Sequence, residues 1–91
     1  MKEYEITGIY DRKGNRKEDD DAQGRIGRVV SVAPEEIIIG KSLFLECIVP
    51  GFLKSLITSP VKKLEHYCDG IKITTRNSIY VLKEVQVRSA I

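Results

Sequence analysis

A β-hairpin near the end of the chain limits the fold more than any other stretch. It lies in residues 70–84, which read GIKITTRNSIYVLKE. Ile71 and Ile73 alternate with polar residues at the two-residue period of a strand, and Ile79 to Leu82 is rich in β-branched and aromatic residues. Between these segments, Asn77 tolerates a left-handed backbone, and its neighbours can hydrogen-bond locally. The sequence therefore predicts two antiparallel strands joined by a tight turn.

Two registers of this hairpin are open, and they differ in loop length. A two-residue loop at Arg76 and Asn77 places Ile71 and Ile73 on one face with Tyr80 and Leu82. A three-residue loop at 75–77 places them with Ile79 and Val81 instead, because a shift of one residue exchanges the two faces. Residues 79, 81, 85 and 87 are all apolar, so we favour the three-residue loop, with Asn77 in the left-handed position usually given to glycine. Tyr80 and Leu82 then need cover, which a closed barrel supplies.

Composition limits the chain to one small domain. The 91 residues are 42% hydrophobic, which supports a modest core and no second one, so we expect a single domain over 1–91. Fifteen basic and thirteen acidic residues nearly balance, and the net charge by itself indicates neither nucleic acid nor an anionic membrane as partner. No apolar run approaches the roughly 18 residues that span a bilayer. The first residues alternate instead of forming the apolar block of a signal peptide, so we expect a cytoplasmic location.

Short strand-like segments precede the hairpin, at residues 3–10, 24–33, 35–39, 43–49 and 61–67. For 35–39, one helical turn after Pro34 is the alternative, but three consecutive isoleucines favour a strand. Residues 52–58 carry a helical apolar stripe yet are too few for a substantial helix. Residues 11–24 are charged and predict a long loop, more mobile than functional. The fold predicted is all-β: a small SH3-like barrel of five to seven short strands, with room for one helical turn.

The closing third of the chain resembles a known group of proteins. It contains a TSPV segment at residues 58–61 and a T-x-N-S-x-Y pattern, whose fixed positions are Thr75, Asn77, Ser78 and Tyr80. In both patterns it is similar to the ending of small uncharacterised β proteins of bacteria and their phages. The resemblance covers about a third of the chain, rests on structural motifs and implies no activity.

Three patterns that carry chemistry in other proteins fail here. Gly40-Lys41-Ser42 ends like a phosphate-binding loop, but the glycine that this loop needs five residues earlier is replaced by Glu35. His66, Cys68 and the distant Cys47 are three metal ligands where structural zinc needs four, typically in two close pairs. A nucleophilic cysteine would need its thiol and the His66 imidazole at hydrogen-bonding distance and in the right orientation. Residues in one turn rarely meet that geometry. We therefore predict no cofactor, no metal, no enzyme activity, and two free thiols.

Binding remains the function that the sequence favours. Strand alternation with apolar residues on both faces, in so short a chain, suggests an interaction module that binds a protein partner or itself, through a sheet edge or through the loop at 11–24. The alternative is a nucleic-acid-binding barrel in which Tyr67 or Tyr80 stacks on bases. Its phosphate contacts would come from basic residues gathered on one outer surface, namely Arg25, Lys62, Lys63, Lys72 and Arg76. A solvated strand face that deters edge pairing explains the same residues more simply.

Overall fold

The computed structural model describes residues 2–48 and 55–85, and it forms a closed antiparallel β-barrel of six strands. Each strand pairs with the next, and the last pairs with the first. The predicted all-β barrel of five to seven strands is therefore confirmed. The elements in chain order are β1 (Lys2–Tyr10), α1 (Asp20–Arg25), β2 (Val29–Val32), a 3₁₀ turn (Pro34–Glu36), β3 (Ser42–Cys47), β4 (Leu56–Tyr67), β5 (Gly70–Thr75) and β6 (Ile79–Glu84).

The core fills the barrel with residues from all six strands. Its most completely buried apolar members are Ile6, Ile9, Val30, Leu45, Val61, Ile73 and Leu82. A β-bulge in β1 explains why Ile9 breaks the alternation of that strand. Ile6 lies opposite Leu82 and Gly8 opposite Val81, so Thr7 is the extra residue, and the inward face changes from even to odd positions after it.

The hairpin has the two-residue loop, so the register that we favoured is wrong. Ile73 lies opposite Tyr80 and Ile71 opposite Leu82, and all four side chains are buried. Ile79 and Val81 face outward instead. Asn77 does not adopt the left-handed conformation: in the described residues only glycines have positive φ, at positions 14, 27 and 40. The turn is held by side-chain hydrogen bonds rather than by a left-handed residue.

These bonds centre on the fully buried hydroxyl of Thr75. Its Oγ1 donates to the Ser78 carbonyl oxygen (3.0 Å) and accepts from the Ser78 N–H (3.1 Å) and from the Ser59 Oγ (2.8 Å). The Ser59 Oγ in turn accepts from the Asn77 N–H at 3.1 Å. Ser59 belongs to the TSPV segment and the other three to the T-x-N-S pattern, so the two motifs meet in space. They close the hairpin and tie it to β4.

Thr75→Val should lower the free energy of unfolding by roughly 1–3 kcal/mol. Valine has nearly the same shape, but it leaves the buried Ser78 N–H without its side-chain acceptor and the Ser59 hydroxyl without its partner. Chemical denaturation would measure the change. The matched control is Thr74→Val, which places the same substitution on the outer face of the same strand. Equal effects of the two substitutions would contradict the role assigned to the Thr75 hydroxyl.

Residues 35–39 do not form the predicted strand. Pro34 is the first residue of a 3₁₀ turn that ends at Glu36, so the helical-turn alternative lies closer to the structure. Proline fixes φ near the helical value and pre-organises such a turn. After the turn, Ile37 packs against the core while Ile38 and Ile39 are exposed.

The predicted strand at 24–33 is reduced to β2, because its first two residues belong to α1. This helix begins after Asp19, whose carboxylate accepts the Ala22 N–H at 3.3 Å, and Ala22 is buried in the core. Asp19 and Ala22 lie within the charged segment 11–24, so that segment is not one continuous loop. The helix forms because a good N-cap precedes it and one small apolar face can be buried.

The rest of the charged segment packs on the hairpin end of the barrel. Arg12 donates to the carbonyl oxygens of Thr75 (3.3 Å) and Arg76 (3.2 Å). The Lys17 Nζ donates to the Ser78 Oγ at 2.7 Å. The basic half of the segment therefore binds the same turn that Thr75 closes.

β4 is longer than the predicted strand at 61–67, because it starts at Leu56. Its first half pairs with β3 and its second half with β5, and Pro60 lies where the partner changes. A proline without an N–H is tolerated at such a point. The predicted strand at 43–49 is found as β3. Residue 49, the last of that prediction, and residues 52–54 of the segment with the helical stripe lie outside the described ranges.

No helix in the described part of the chain is long and apolar enough to span a membrane.

Candidate binding groove

A groove of about 360 Å³ crosses the outer face of the barrel beside β1 and β6. Two tyrosines, Tyr10 and Tyr67, line it together with the aliphatic side chains of Ile79 and Val81; the other lining residues are Gly14 and Lys72. The two-residue loop of the hairpin places Ile79 and Val81 on this face. The register of the hairpin therefore creates the apolar lining.

The bulge in β1 positions the first tyrosine. After Thr7, Gly8 and Tyr10 lie opposite Val81 and Ile79, on the outer face. A Cβ atom at Gly8 would fall 2.7 Å from Cε2 of Tyr10. A larger residue at this position would displace the Tyr10 ring, which lies over the backbone there. Tyr10 is consequently half-buried and forms one side of the groove.

A hydrogen bond on β4 positions the second tyrosine. The Tyr67 hydroxyl donates to Oε2 of Glu65 at 3.0 Å, and Nζ of Lys63 lies 3.6 Å from Oε1 of the same carboxylate. The bond from Tyr67 lowers the pKa of Glu65, with smaller contributions from Lys63 and Lys72, and it raises the pKa of Tyr67. The ring itself stays accessible, with 52% of Tyr67 exposed.

Four of the five basic residues predicted as phosphate contacts lie on β4, on β5 and in the hairpin turn, and the fifth, Arg25, lies in α1. Lys63 and Lys72 approach each other around Glu65, whose carboxylate both of them influence. Lys62 lies in β4 at the irregularity beside Lys63. Arg76 is in the hairpin turn. Arg25 ends α1, where its Nη1 donates to the Tyr80 hydroxyl at 3.5 Å, and lines a separate polar cleft of about 260 Å³.

A second apolar feature lies on β3 and β4. Phe44 and Ile57 are cross-strand neighbours on the outer face, and they are 52% and 65% exposed. Phe44 also lines a cleft of about 220 Å³ between β2 and β3. The two faces of β3 are both apolar, as the sequence indicated, but only the inner one is buried.

Neither cysteine is in a disulfide: Cys47 is half-buried against the core, and Cys68 is exposed in the turn between β4 and β5. In residues 2–48 and 55–85 no group of three or more His, Cys, Asp or Glu side chains is placed to hold a metal ion. The groove itself combines aromatic and aliphatic side chains with one cation, Lys72.

Sequence reasoning named Tyr67 and Lys72 but missed Tyr10, Ile79 and Val81. The last two were assigned to the core by the wrong register. The spacing of Thr75 and Ser78 was the available signal for the register, because these two residues hydrogen-bond to each other across a two-residue loop.

Comparison with protein-family models, with curated protein sequences and with solved structures found no match to this chain.

Proposed function

We propose that this chain is a non-enzymatic interaction module that binds an extended segment of a partner protein in the groove between Tyr10 and Tyr67. The observation that supports the proposal is the composition of the groove: the exposed ring of Tyr67 and the half-buried ring of Tyr10 lie beside two aliphatic side chains. Tyrosine is well suited to such contacts, because it offers a large apolar area and loses little conformational entropy on binding.

The shape and charge of the groove favour a particular ligand. Aromatic-lined surface grooves bind peptide segments that are already extended, such as proline-rich ones, because little entropy is lost on binding. Lys72 is the one charged residue among the six that line the groove. A segment that combines proline or aliphatic residues with an acidic residue near Lys72 therefore fits best.

A peptide selection followed by titration tests this function. Peptides selected on the intact protein from a random display library should include extended apolar segments with an acidic residue. Tyr67→Ala should weaken binding of a selected peptide at least about tenfold, because a buried interface tyrosine commonly contributes more than about 1.4 kcal/mol. The matched control is Phe44→Ala, since both aromatic residues are 52% exposed but lie on different faces.

The outcome of these titrations decides the proposal. Equal affinity of Tyr67→Ala and the unaltered protein would contradict it, as would loss of binding in Phe44→Ala alone. Tyr67→Phe separates the ring from its hydroxyl bond to Glu65, and it should retain most of the affinity if the ring makes the contact.

Single-stranded nucleic acid is the second candidate ligand, because Tyr67 and Lys72 line the same groove and could contact a base and a phosphate. The carboxylate of Glu65 beside them opposes a phosphate chain, which is why a peptide is preferred. A titration with oligonucleotides at low and moderate salt separates the two ligands. Phosphate binding must weaken steeply as salt rises, whereas binding of a largely apolar peptide with one acidic residue should weaken much less.

A further inference from the structure

The second half of β4 has an open edge. Residues 63–67 pair with β5 on one side, and Lys62 lies at the irregularity before them. On the other side the pairing with β3 ends at Pro60, and the last bonds are those of Val61 with the backbone of Gly40 and Lys41. Within the described ranges, no other strand or loop bonds the outer side of 62–67.

The backbone groups on this edge can be assigned from the alternation of an antiparallel sheet. The Thr75 N–H bonds to Ser78 in the hairpin, so Thr75 and every second residue before it face β6. Lys72 and Thr74 then face β4, where their partners are Glu65 and Lys63. The N–H and C=O groups of the intervening Leu64, and of His66 beyond Glu65, therefore point to the open edge.

We propose that a second copy of this chain adds to this edge, with β4 antiparallel to β4 and the two-fold axis at Leu64. Each Leu64 then exchanges N–H to O=C hydrogen bonds with Leu64 of the other copy. Lys63 of each copy lies opposite Glu65 of the other in a non-hydrogen-bonded pair, in which the facing side chains are closest. The interface is isologous, and each copy supplies both members of a complementary charge pair.

Other two-fold registers lack this complementarity. An axis at Glu65 places the two Glu65 carboxylates opposite each other, and an axis at Lys63 does the same for two ammonium groups. An axis at His66 places Glu65 opposite Tyr67, and it places Lys63 opposite Asp69, which lies in the turn beyond the end of β4. Charged residues usually protect an open edge from pairing. Here the charges of Lys63 and Glu65 disfavour pairing with other strands. They favour pairing with the same edge of a second copy of the chain.

Charge reversal provides a sharp test by analytical ultracentrifugation over a range of protein concentrations. The unaltered protein should show a concentration-dependent dimer. Lys63→Glu and Glu65→Lys should each weaken the dimer at least about tenfold, because each change turns two attractive cross-strand pairs into repulsive ones. An equimolar mixture of the two variants should dimerise again, since the two carboxylates of one variant would then face the two ammonium groups of the other.

Two further variants serve as controls. Lys2→Glu reverses a charge of the other ion pair in the described residues, Lys2–Glu84 at 3.7 Å, and should leave the dimer unchanged. His66→Pro removes an outward N–H from an edge, where proline is tolerated, and should abolish the dimer while the circular dichroism spectrum persists. A monomer at all concentrations, or single variants that dimerise as the unaltered protein does, would overturn the proposal. A mixture that stays monomeric would overturn it too. The inference does not depend on peptide binding in the groove, so each can fail alone.

Discussion

Leu82→Ala is expected to lower the free energy of unfolding by about 2–5 kcal/mol, the range for a truncated core residue. Leu82 is 1% exposed and lies opposite Ile71 inside the barrel. Its neighbour Val81 lies on the outer face and lines the groove, so Val81→Ala should cost about 1 kcal/mol or less. Urea denaturation of both variants, monitored by circular dichroism, measures the difference.

The same reasoning applies to the paired strand. Ile73→Ala should cost about as much as Leu82→Ala, whereas Lys72→Ala should be close to neutral, because Ile73 is fully buried and Lys72 faces outward. If Val81→Ala destabilised the protein more than Leu82→Ala, the hairpin would have the three-residue loop, and Ile79 and Val81 would leave the groove.

Gly70→Ala and Gly24→Ala should change stability in opposite directions. A Cβ atom at Gly70 would overlap the carbonyl oxygen of Leu82 and lie 3.0 Å from Cα of Lys83. Because these neighbours are backbone atoms of β6, which is paired on both sides, they cannot move aside cheaply, and we expect a loss of about 1–3 kcal/mol or more. At Gly24, an exposed residue of α1, a Cβ meets no atom within 4 Å. Alanine there should add about 0.5–1 kcal/mol, because it favours the helix.

Thermal unfolding of the two variants and of the unaltered protein measures these changes in stability. Gly24→Ala is the matched control, since it makes the same chemical change where there is space. A Gly70→Ala protein as stable as the unaltered one would mean that β5 and β6 do not approach as closely as described.

The sequence was sufficient for the barrel and for the hairpin, because alternation and β-branched content are local properties. The register was misread, although the spacing of Thr75 and Ser78, which hydrogen-bond to each other across the loop, indicated the two-residue loop. The choice of the three-residue loop rested on apolar residues at 79 and 81, and these line the outer groove rather than the core. An outer apolar surface thus misled an argument that assigned every apolar residue to the interior.

Two local elements were misread for a different reason. The isoleucines at 37–39 have high strand propensity, but Pro34 and the positive φ of Gly40 turn the chain at both ends of the run. In α1, the helix depends on one capping carboxylate, from Asp19, and on the burial of Ala22. Neither effect is visible from the composition of a charged segment.

Part of the candidate site could be predicted and part could not. Tyr67 and Lys72 were identified because both lie on predicted strands. An aromatic ring there can stack on a base, and a cation there can contact a phosphate. Tyr10 was not, because the bulge at Thr7 moves it to the outer face. Of the five predicted basic residues, Arg25 could not be placed correctly, because it lies in a helix where the sequence predicted a strand.

The register of β5 against β6 determines both the core and the groove, and nuclear Overhauser effects between α-protons measure it directly. In the two-residue loop, Lys72 with Val81 and Thr74 with Ile79 are the pairs that do not exchange hydrogen bonds, so their α-protons lie close together. We expect strong effects between Lys72 and Val81 and between Thr74 and Ile79. Strong effects between Ile71 and Val81 or between Ile73 and Ile79 would instead show the three-residue loop and would contradict the groove proposed as the binding site.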